Sequence, residues 1–139
     1  MSTIQVDIVS AERQIFSGQV TMVIATAALG EIGIEPRHAP LLTSLKPGHI
    51  RLVLPDGKEE LYYVSGGMLE VQPHIVTILA DTVERAADID EAAALEAQRA
   101  AEKAMASRKG EFEYATAAAE LAEAAARVQT IKQLRKKFK

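Results

Sequence analysis

Three histidines, a Ser-Gly-Gly run and a basic chain end are the groups in this 139-residue sequence with chemistry to offer. His38, His49 and His74 stand far apart, the last two beside turn residues. No carboxylates fall at converging spacings around them, so they carry no metal-binding signature. Ser65 is followed by Gly66 and Gly67, but no lysine-bearing phosphate loop comes next, and a sharp turn is the simpler use of the run. Neither an acid-His-Ser arrangement nor an oxyanion loop is readable around Ser65, which argues against a hydrolase. There is no cysteine, which excludes disulfide scaffolds, thiolate zinc sites and cysteine nucleophiles and favours a reducing compartment. The expectation is a noncatalytic protein without metal or cofactor.

The basic end is the strongest remaining signal. Arg127, Lys132, Arg135, Lys136, Lys137 and Lys139 give residues 127–139 six bases and no acid, whereas residues 88–123 carry nine acids and four bases. Cations are favoured near a helix C-terminus by the helix dipole, and charged tails also serve solubility. A net charge of -3 argues against general nucleic-acid binding, which needs a basic surface larger than one helix end. The N-terminus "MSTIQVDIVS" lacks the basic start and apolar run of a signal peptide, and no stretch approaches the ~20 apolar residues of a membrane span. A soluble protein with no direct membrane insertion is expected.

Two grammars position these groups. Up to about residue 85, apolar residues alternate at period two between turn signals, as in "IQVDI" (Ile4, Val6, Ile8) and "VTMVIAT" (Val20, Met22, Ile24). "IRLVLPDGKEELYYV" reads as two strands joined at Pro55-Asp56-Gly57, and further turns are expected at Ser17-Gly18, Gly30, Lys46-Pro47-Gly48, Ser65-Gly66-Gly67 and Gln72-Pro73-His74. Eight to ten short strands in a sandwich or flattened barrel follow from this spacing. From residue 86 onward eighteen of 54 residues are Ala, and no Pro follows Pro73. Asp88 with Glu91 predicts an N-cap opening a helix to about Ser107. "SRKGE" breaks it, with Gly110 suited to a left-handed turn, and a second helix runs from about Phe112 to Phe138. Tyr114, Ala118, Leu121, Ala125, Val128, Ile131, Leu134 and Phe138 form its apolar stripe. The reading is an antiparallel helical hairpin, residues 87–139, after a sandwich of residues 1–86.

The helices are stiff but poor in burial. "ATAAAELAEAAA" (115–126) has eight Ala in twelve positions. Ala is the best helix former, yet an Ala methyl contributes only ~0.8 kcal/mol on burial where a Leu contributes roughly 1.5–3. A hairpin of this kind suits either a static close-packed pair or an arm with two docking states.

The segments "VDIVSAERQIFSGQV", "GEIGIEPRHAPLLTSLKPGHIRL", "YYVSGGMLEVQPHIVTILADT" and "DIDEAAALEAQRAAEKA" closely resemble the epsilon subunit of bacterial F-type ATP synthases over essentially the whole chain. The resemblance implies a ten-stranded N-terminal sandwich and a C-terminal helix pair. It further implies a noncatalytic rotor subunit of the central stalk, at the cytoplasmic face of the bacterial inner membrane. The implied partners are the gamma subunit, the polar loops of the membrane c-ring and the catalytic alpha/beta hexamer, the last reached when the helices extend and inhibit ATP hydrolysis. Glu31 in "GEIGI" matches the position facing the ring, and His38 in "HAPLL" one near the shaft. Arg127, Lys132, Arg135, Lys136 and Lys137 match a basic set that faces an acidic loop of the catalytic beta subunits in the extended state. Some members bind ATP through a motif of Ile or Leu, Asp, two variable residues, Arg and Ala. Here Ile89, Asp90, Ala94 and the upstream Glu84 match, but the arginine is Ala93, so weak or no ATP binding is expected. Arg37 stands where many relatives have Gly. A general protein-binding module, with a β-sandwich and a helical arm, is the alternative reading.

Overall fold

The computed structural model describes residues 2–106 and 111–137, with side chains for 2–106 and 114–136. Its strands are β1 (Ile4–Ser10), β2 (Gln14–Val20), β3 (Met22–Ala27), β4 (Gly30–Ile34), β5 (Leu41–Val53), β6 (Glu59–Val64), β7 (Gly67–Val71), β8 (Ile75–Ala80) and β9 (Val83–Arg85). A 3-10 turn at Ala86–Asp88 leads into α1 (Glu91–Ala106) and α2 (Glu111–Lys137).

Strand β5 builds the sandwich. Its first arm, Leu41 to Leu45, pairs with β7, and its second, Gly48 to Val53, pairs with β6. One layer is therefore β2-β1-β8-β7 with the first arm; the other is β4-β3, the second arm, β6 and β9. All neighbours are antiparallel except β1 and β8. Ile4, Val6, Ile8, Leu69, Val71, Val76 and Ile78 from the first layer meet Val23, Ala25, Ile50, Leu52, Tyr62 and Val64 from the second in one buried core. Nine strands are described where ten were expected, because β5 serves both layers as a single bent strand. The turn expected at Lys46-Pro47-Gly48 is this bend. A Cβ on Gly48 would lie 2.6 Å from Thr26 Oγ1, so the close approach of β3 needs glycine there.

Two other expectations change. Val20, Met22 and Ile24 do not share a strand face: the chain breaks at Thr21, whose N–H (2.8 Å) and hydroxyl (3.2 Å) both donate to the Val53 carbonyl. Past that break Val23 and Ala25 enter the core, and Ile24 faces away from it. The hairpin at Pro55-Asp56-Gly57 forms as expected, with Leu54 N–H donating to Lys58 O (2.8 Å) and Lys58 N–H to Asp56 Oδ1 (2.9 Å). Arg37 adopts the left-handed conformation (φ 67°) that glycine reaches without strain. Its N–H donates to Pro73 O at 2.9 Å, tying this loop to the Pro73-His74 turn.

The helices form an antiparallel pair lying over the second layer, with α2 against β5 and β6. Asp90, not Asp88, caps α1: its Oδ1 accepts from Ala93 N–H at 3.2 Å, and its carbonyl accepts the first helical bond from Ala94 N–H at 2.9 Å. Asp88 instead ends the 3-10 turn. The buried face of α2 is Ala117, Ala124, Val128, Thr130 and Ile131. Leu121, Ala125 and Leu134 are half-buried and Tyr114 is 42% exposed, so the stripe holds at Val128 and Ile131 and is displaced by one residue toward Ala117 and Ala124 in the Ala-rich half. Close packing against α1 selects the smallest side chains there, whichever phase the larger residues suggest. The break expected at Ser107–Gly110, and Phe138, lie outside the described residues.

Gly67 offers a direct check of the sandwich. It has φ 138°, and a Cβ there would lie 2.0 Å from the Leu79 carbonyl oxygen, which is rigid backbone. Gly67→Ala is expected to cost about 3 kcal/mol or more, read from the midpoint of denaturant unfolding, whereas Gly33→Ala, with open space around its Cβ, should shift that midpoint little.

Candidate docking surfaces

The outer face of the first layer is open. Pairing aligns Val9, Leu79, Met68 and Ser44 in one row across β1, β8, β7 and β5, and Asp7, Thr77, Glu70 and Leu42 in the next. Leu42 (66%), Leu79 (54%) and Met68 (40%) are exposed. They form an apolar patch bordered by a polar network in which the Ser17 hydroxyl and Gln5 Nε2 donate to Asp7 Oδ1 at 2.8 and 2.9 Å. His38 lies on the loop preceding β5, where its Nδ1–H donates to the Ala39 carbonyl at 2.7 Å. That bond leaves Nε2 as the acceptor of the neutral ring.

Glu31 lies at the far corner, on the outer face of the second layer. It pairs with Thr26 on β3, and the Thr26 hydroxyl donates to the His49 carbonyl at 3.3 Å. His49 reaches across Thr26 to place Nε2 3.5 Å from Glu31 Oε2, with the imidazole 21% and the carboxylate 62% exposed. Leu29, at the tip of the same hairpin, is fully exposed. Glu31 and His38 are not brought together: they flank opposite ends of β4. Sequence reasoning missed His49 as the partner of Glu31, because the contact depends on β3 lying between them.

The third surface is the seam beneath the hairpin. Tyr63, Ile89, Ala94, Val128 and Ile131 form a small buried cluster with Leu95 and Ala126 packed on it. Next to it Arg127 grips Glu84 on β9 with two contacts, Nε to Oε1 at 3.0 Å and Nη2 to Oε2 at 3.1 Å. A groove of about 700 Å³ opens beside this pair, its polar lining including Asp81, Glu84, Glu120, Glu123 and Arg127. Of the positions expected to contact nucleotide, Ile89 is buried in the cluster, Asp90 caps α1 and Glu84 holds Arg127. Within the basic end, Arg127 thus points inward and Arg135 is ion-paired with Glu91 at the start of α1, while Lys132 and Lys136 are exposed. The side chain of Lys137 lies outside the described residues. No group of three or more potential metal ligands occurs among the described residues.

A β-sandwich that carries two C-terminal helices, with three candidate docking surfaces, defines the class of protein. The family model for the ATP synthase delta/epsilon chain β-sandwich domain matches residues 3–86, and that for its long α-helix domain matches residues 87–132. A Nitrosococcus oceani ATP synthase epsilon chain is 62% identical over 136 residues, covering 98% of this chain and 97% of its own length. Its counterpart in Halorhodospira halophila is 60% identical over 141 residues, covering 100% and 99%. A chain in the Euglena gracilis mitochondrial ATP synthase structure, 19% identical, shares the fold with a TM-score of 0.81 and covers 96% of this chain and 81% of that one. The chain belongs to the delta/epsilon family of F-type ATP synthase subunits, noncatalytic components of the stalk.

Tyr62 and Tyr63 make the buried structure sensitive to alkali. Burial raises the Tyr62 phenol well above its usual 10.0, helped by the hydrogen bond it donates to Glu60 at 2.7 Å. Burial raises Tyr63 likewise, with Glu123 and Glu84 adding and Arg127 opposing. In the unfolded chain both ionise near pH 10.0. Above that pH the unfolded state releases protons that the folded state keeps, so stability falls as pH rises, by up to about 1.4 kcal/mol per pH unit per tyrosine. Denaturant titrations between pH 8 and 11 should show this slope, and Tyr62→Phe or Tyr63→Phe should each remove its share.

Proposed function

We propose that this chain is a rotor subunit that couples the central shaft to the membrane ring and restrains ATP hydrolysis through residues 87–139. The observation that carries the reading is the seating of the arm. A 27-residue helix, about 40 Å long, lies against β5 and β6 with a small apolar cluster and the Arg127–Glu84 ion pair among its contacts. High propensity keeps such an arm helical, while sparse burial leaves its position open to competition from a partner. In the described structure the arm is docked, which corresponds on this reading to the non-blocking state.

Residues 1–86 then act as the rotor-docking unit. The open apolar patch of Leu42, Met68 and Leu79, with His38 at its margin, suits the gamma subunit. The Glu31 corner suits the polar loops of the c-ring, where an exposed carboxylate meets basic groups. Lys132, Lys136 and Lys137, with Arg135 once it leaves Glu91, meet the acidic surface of the alpha/beta hexamer when the arm extends. Such an assembly places the chain peripherally at the cytoplasmic face of the inner membrane, and no helix among the described residues is long and apolar enough to cross one.

ATP is a poor fit to the seam. Asp81, Glu84, Glu120 and Glu123 line the groove, and its Arg127 is already paired with Glu84. Ala93, at the family's arginine position, supplies no charge to a polyphosphate.

Two measurements test these readings. Truncation after Ala87 in an otherwise complete synthase should leave assembly intact and speed ATP hydrolysis; unchanged hydrolysis would remove the restraining role. Calorimetry of the isolated chain with ATP should show weak or no binding, and a micromolar dissociation constant would overturn the argument from Ala93 and the acidic groove.

A further inference from the structure

Two of the ion pairs made by the arm restrain different things. Arg135 with Glu91 ties the end of α2 to the start of α1; both partners belong to the arm and are 55% and 43% exposed. Lifting the hairpin off the sheet as a unit leaves that pair intact. Arg127 with Glu84 joins α2 to β9, so the arm cannot leave the sheet without breaking it. It combines a hydrogen bond from Nη2 to Glu84 Oε2 at 3.1 Å with a charge contact of Nε to Oε1 at 3.0 Å that lacks hydrogen-bond alignment, with the partners only 26% and 35% exposed, beside Tyr63 at 2%. A guanidinium can approach both oxygens of one carboxylate at once, which a lysine ammonium does not reproduce. The surroundings make Arg127 hard to replace. Among the described residues it is the cation lining a groove that also presents Asp81, Glu84, Glu120 and Glu123.

We propose that the Glu84–Arg127 ion pair is the clasp that sets how often the arm is docked, and that Arg127 therefore acts opposite in sign to the outward lysines of the same basic cluster. The clasp is made from the chain's own side chains. Docking here accordingly needs no nucleotide bridge between arm and sandwich. The regulatory consequence rests on the reading of the arm as a mobile inhibitor: weakening the clasp raises the population free to extend and deepens inhibition, while removing Lys132 or Lys136 weakens the extended state and relieves it.

Because the natural sequence has no cysteine, a single Val128→Cys substitution reports undocking. Val128 is 6% exposed in the seam cluster, so alkylation of its replacement follows the open fraction. In that background Glu84→Gln and Arg127→Gln should each speed alkylation about tenfold, the order expected for a charge-assisted hydrogen-bonded pair. Arg127→Lys should fall between the parent and Arg127→Gln, and the double variant should be no faster than the faster single one. Single variants within about twofold of the parent, or effects that multiply in the double variant, would overturn the clasp. In the complete synthase, without the reporter, Glu84→Gln should slow ATP hydrolysis and Lys136→Ala should speed it. Faster alkylation combined with unchanged hydrolysis would keep the clasp, refute its regulatory half, and with it the reading of the arm as inhibitor.

Discussion

One strand shared by two sheets is the constraint from which the rest of the structure follows. β5 enters as the neighbour of β7 and leaves as the neighbour of β6, turning over between Leu45 and Gly48 where Thr26 presses on a residue with no side chain. That bend folds the ladder back on itself, so each layer covers the other's apolar face and a single core closes. It also divides the outer surface. Leu42 on the first arm belongs to the open apolar face, and His49 on the second belongs to the face carrying Glu31 and the helices. Six residues of one strand thus separate two surfaces that look in opposite directions.

The second layer is covered economically. In the seam cluster Tyr63, Ile89, Val128 and Ile131 are the large buried side chains, with Ala94 among them and Leu95 and Ala126 packed against it. Alanine allows α1 and α2 to approach closely, and buried Ala94, Ala101, Ala117 and Ala124 mark that approach. Each contributes a fraction of what a leucine would. Thr130, fully buried, satisfies its hydroxyl on the Ala126 carbonyl at 2.8 Å and asks nothing of the sheet. A polar contact that crosses the seam is the Glu84–Arg127 ion pair. Cohesion within the helices is therefore high, and cohesion between arm and sheet is concentrated in few residues.

Alternation and turn chemistry make most of the sandwich legible in the sequence, since Ile4, Val6 and Ile8, or Val76 and Ile78, can only be buried together if the strand is placed one way. The illegible parts are those where long-range contact overrides local pattern. Lys46-Pro47-Gly48 reads as a turn by composition but becomes a bend because β3 pairs across it. Asp88 is the cap that its spacing to Glu91 suggests, but Asp90 caps α1, with Ile89 between them buried against Tyr63. The apolar period of α2 is clear where Val and Ile occur and ambiguous where every candidate is Ala. In the docking surfaces, Glu31 and the basic cluster are visible as residue types, but His49 beside Glu31 and the inward direction of Arg127 need the register of β3 with β5 and the placement of α2. The exposed Leu42, Met68 and Leu79 are invisible for a related reason: an apolar residue at an alternate position looks like core until the sheet's two faces are known.

The direction of Arg127 changes how a basic chain end should be read. Six cations in thirteen residues look like one electrostatic feature, and long-range steering would indeed sum them. At contact distance they divide by helix phase. Arg127 lies on the same side of α2 as Val128 and Ile131 and meets a carboxylate on the sheet, whereas Lys132 and Lys136 fall on the solvent side. If the arm has two positions, a ligand or partner shifts their ratio only through the difference between what it gains in each. Reversing a 1:99 population takes about 5.5 kcal/mol, comparable to the burial of two or three large side chains. A seam built from four such residues and an ion pair is within reach of that reversal, and a seam lined with leucine would not be. Alanine content and the inward arginine are thus two sides of one adjustment: the first lowers the hold of the sheet on the arm, and the second adds a polar hold through the Glu84–Arg127 pair.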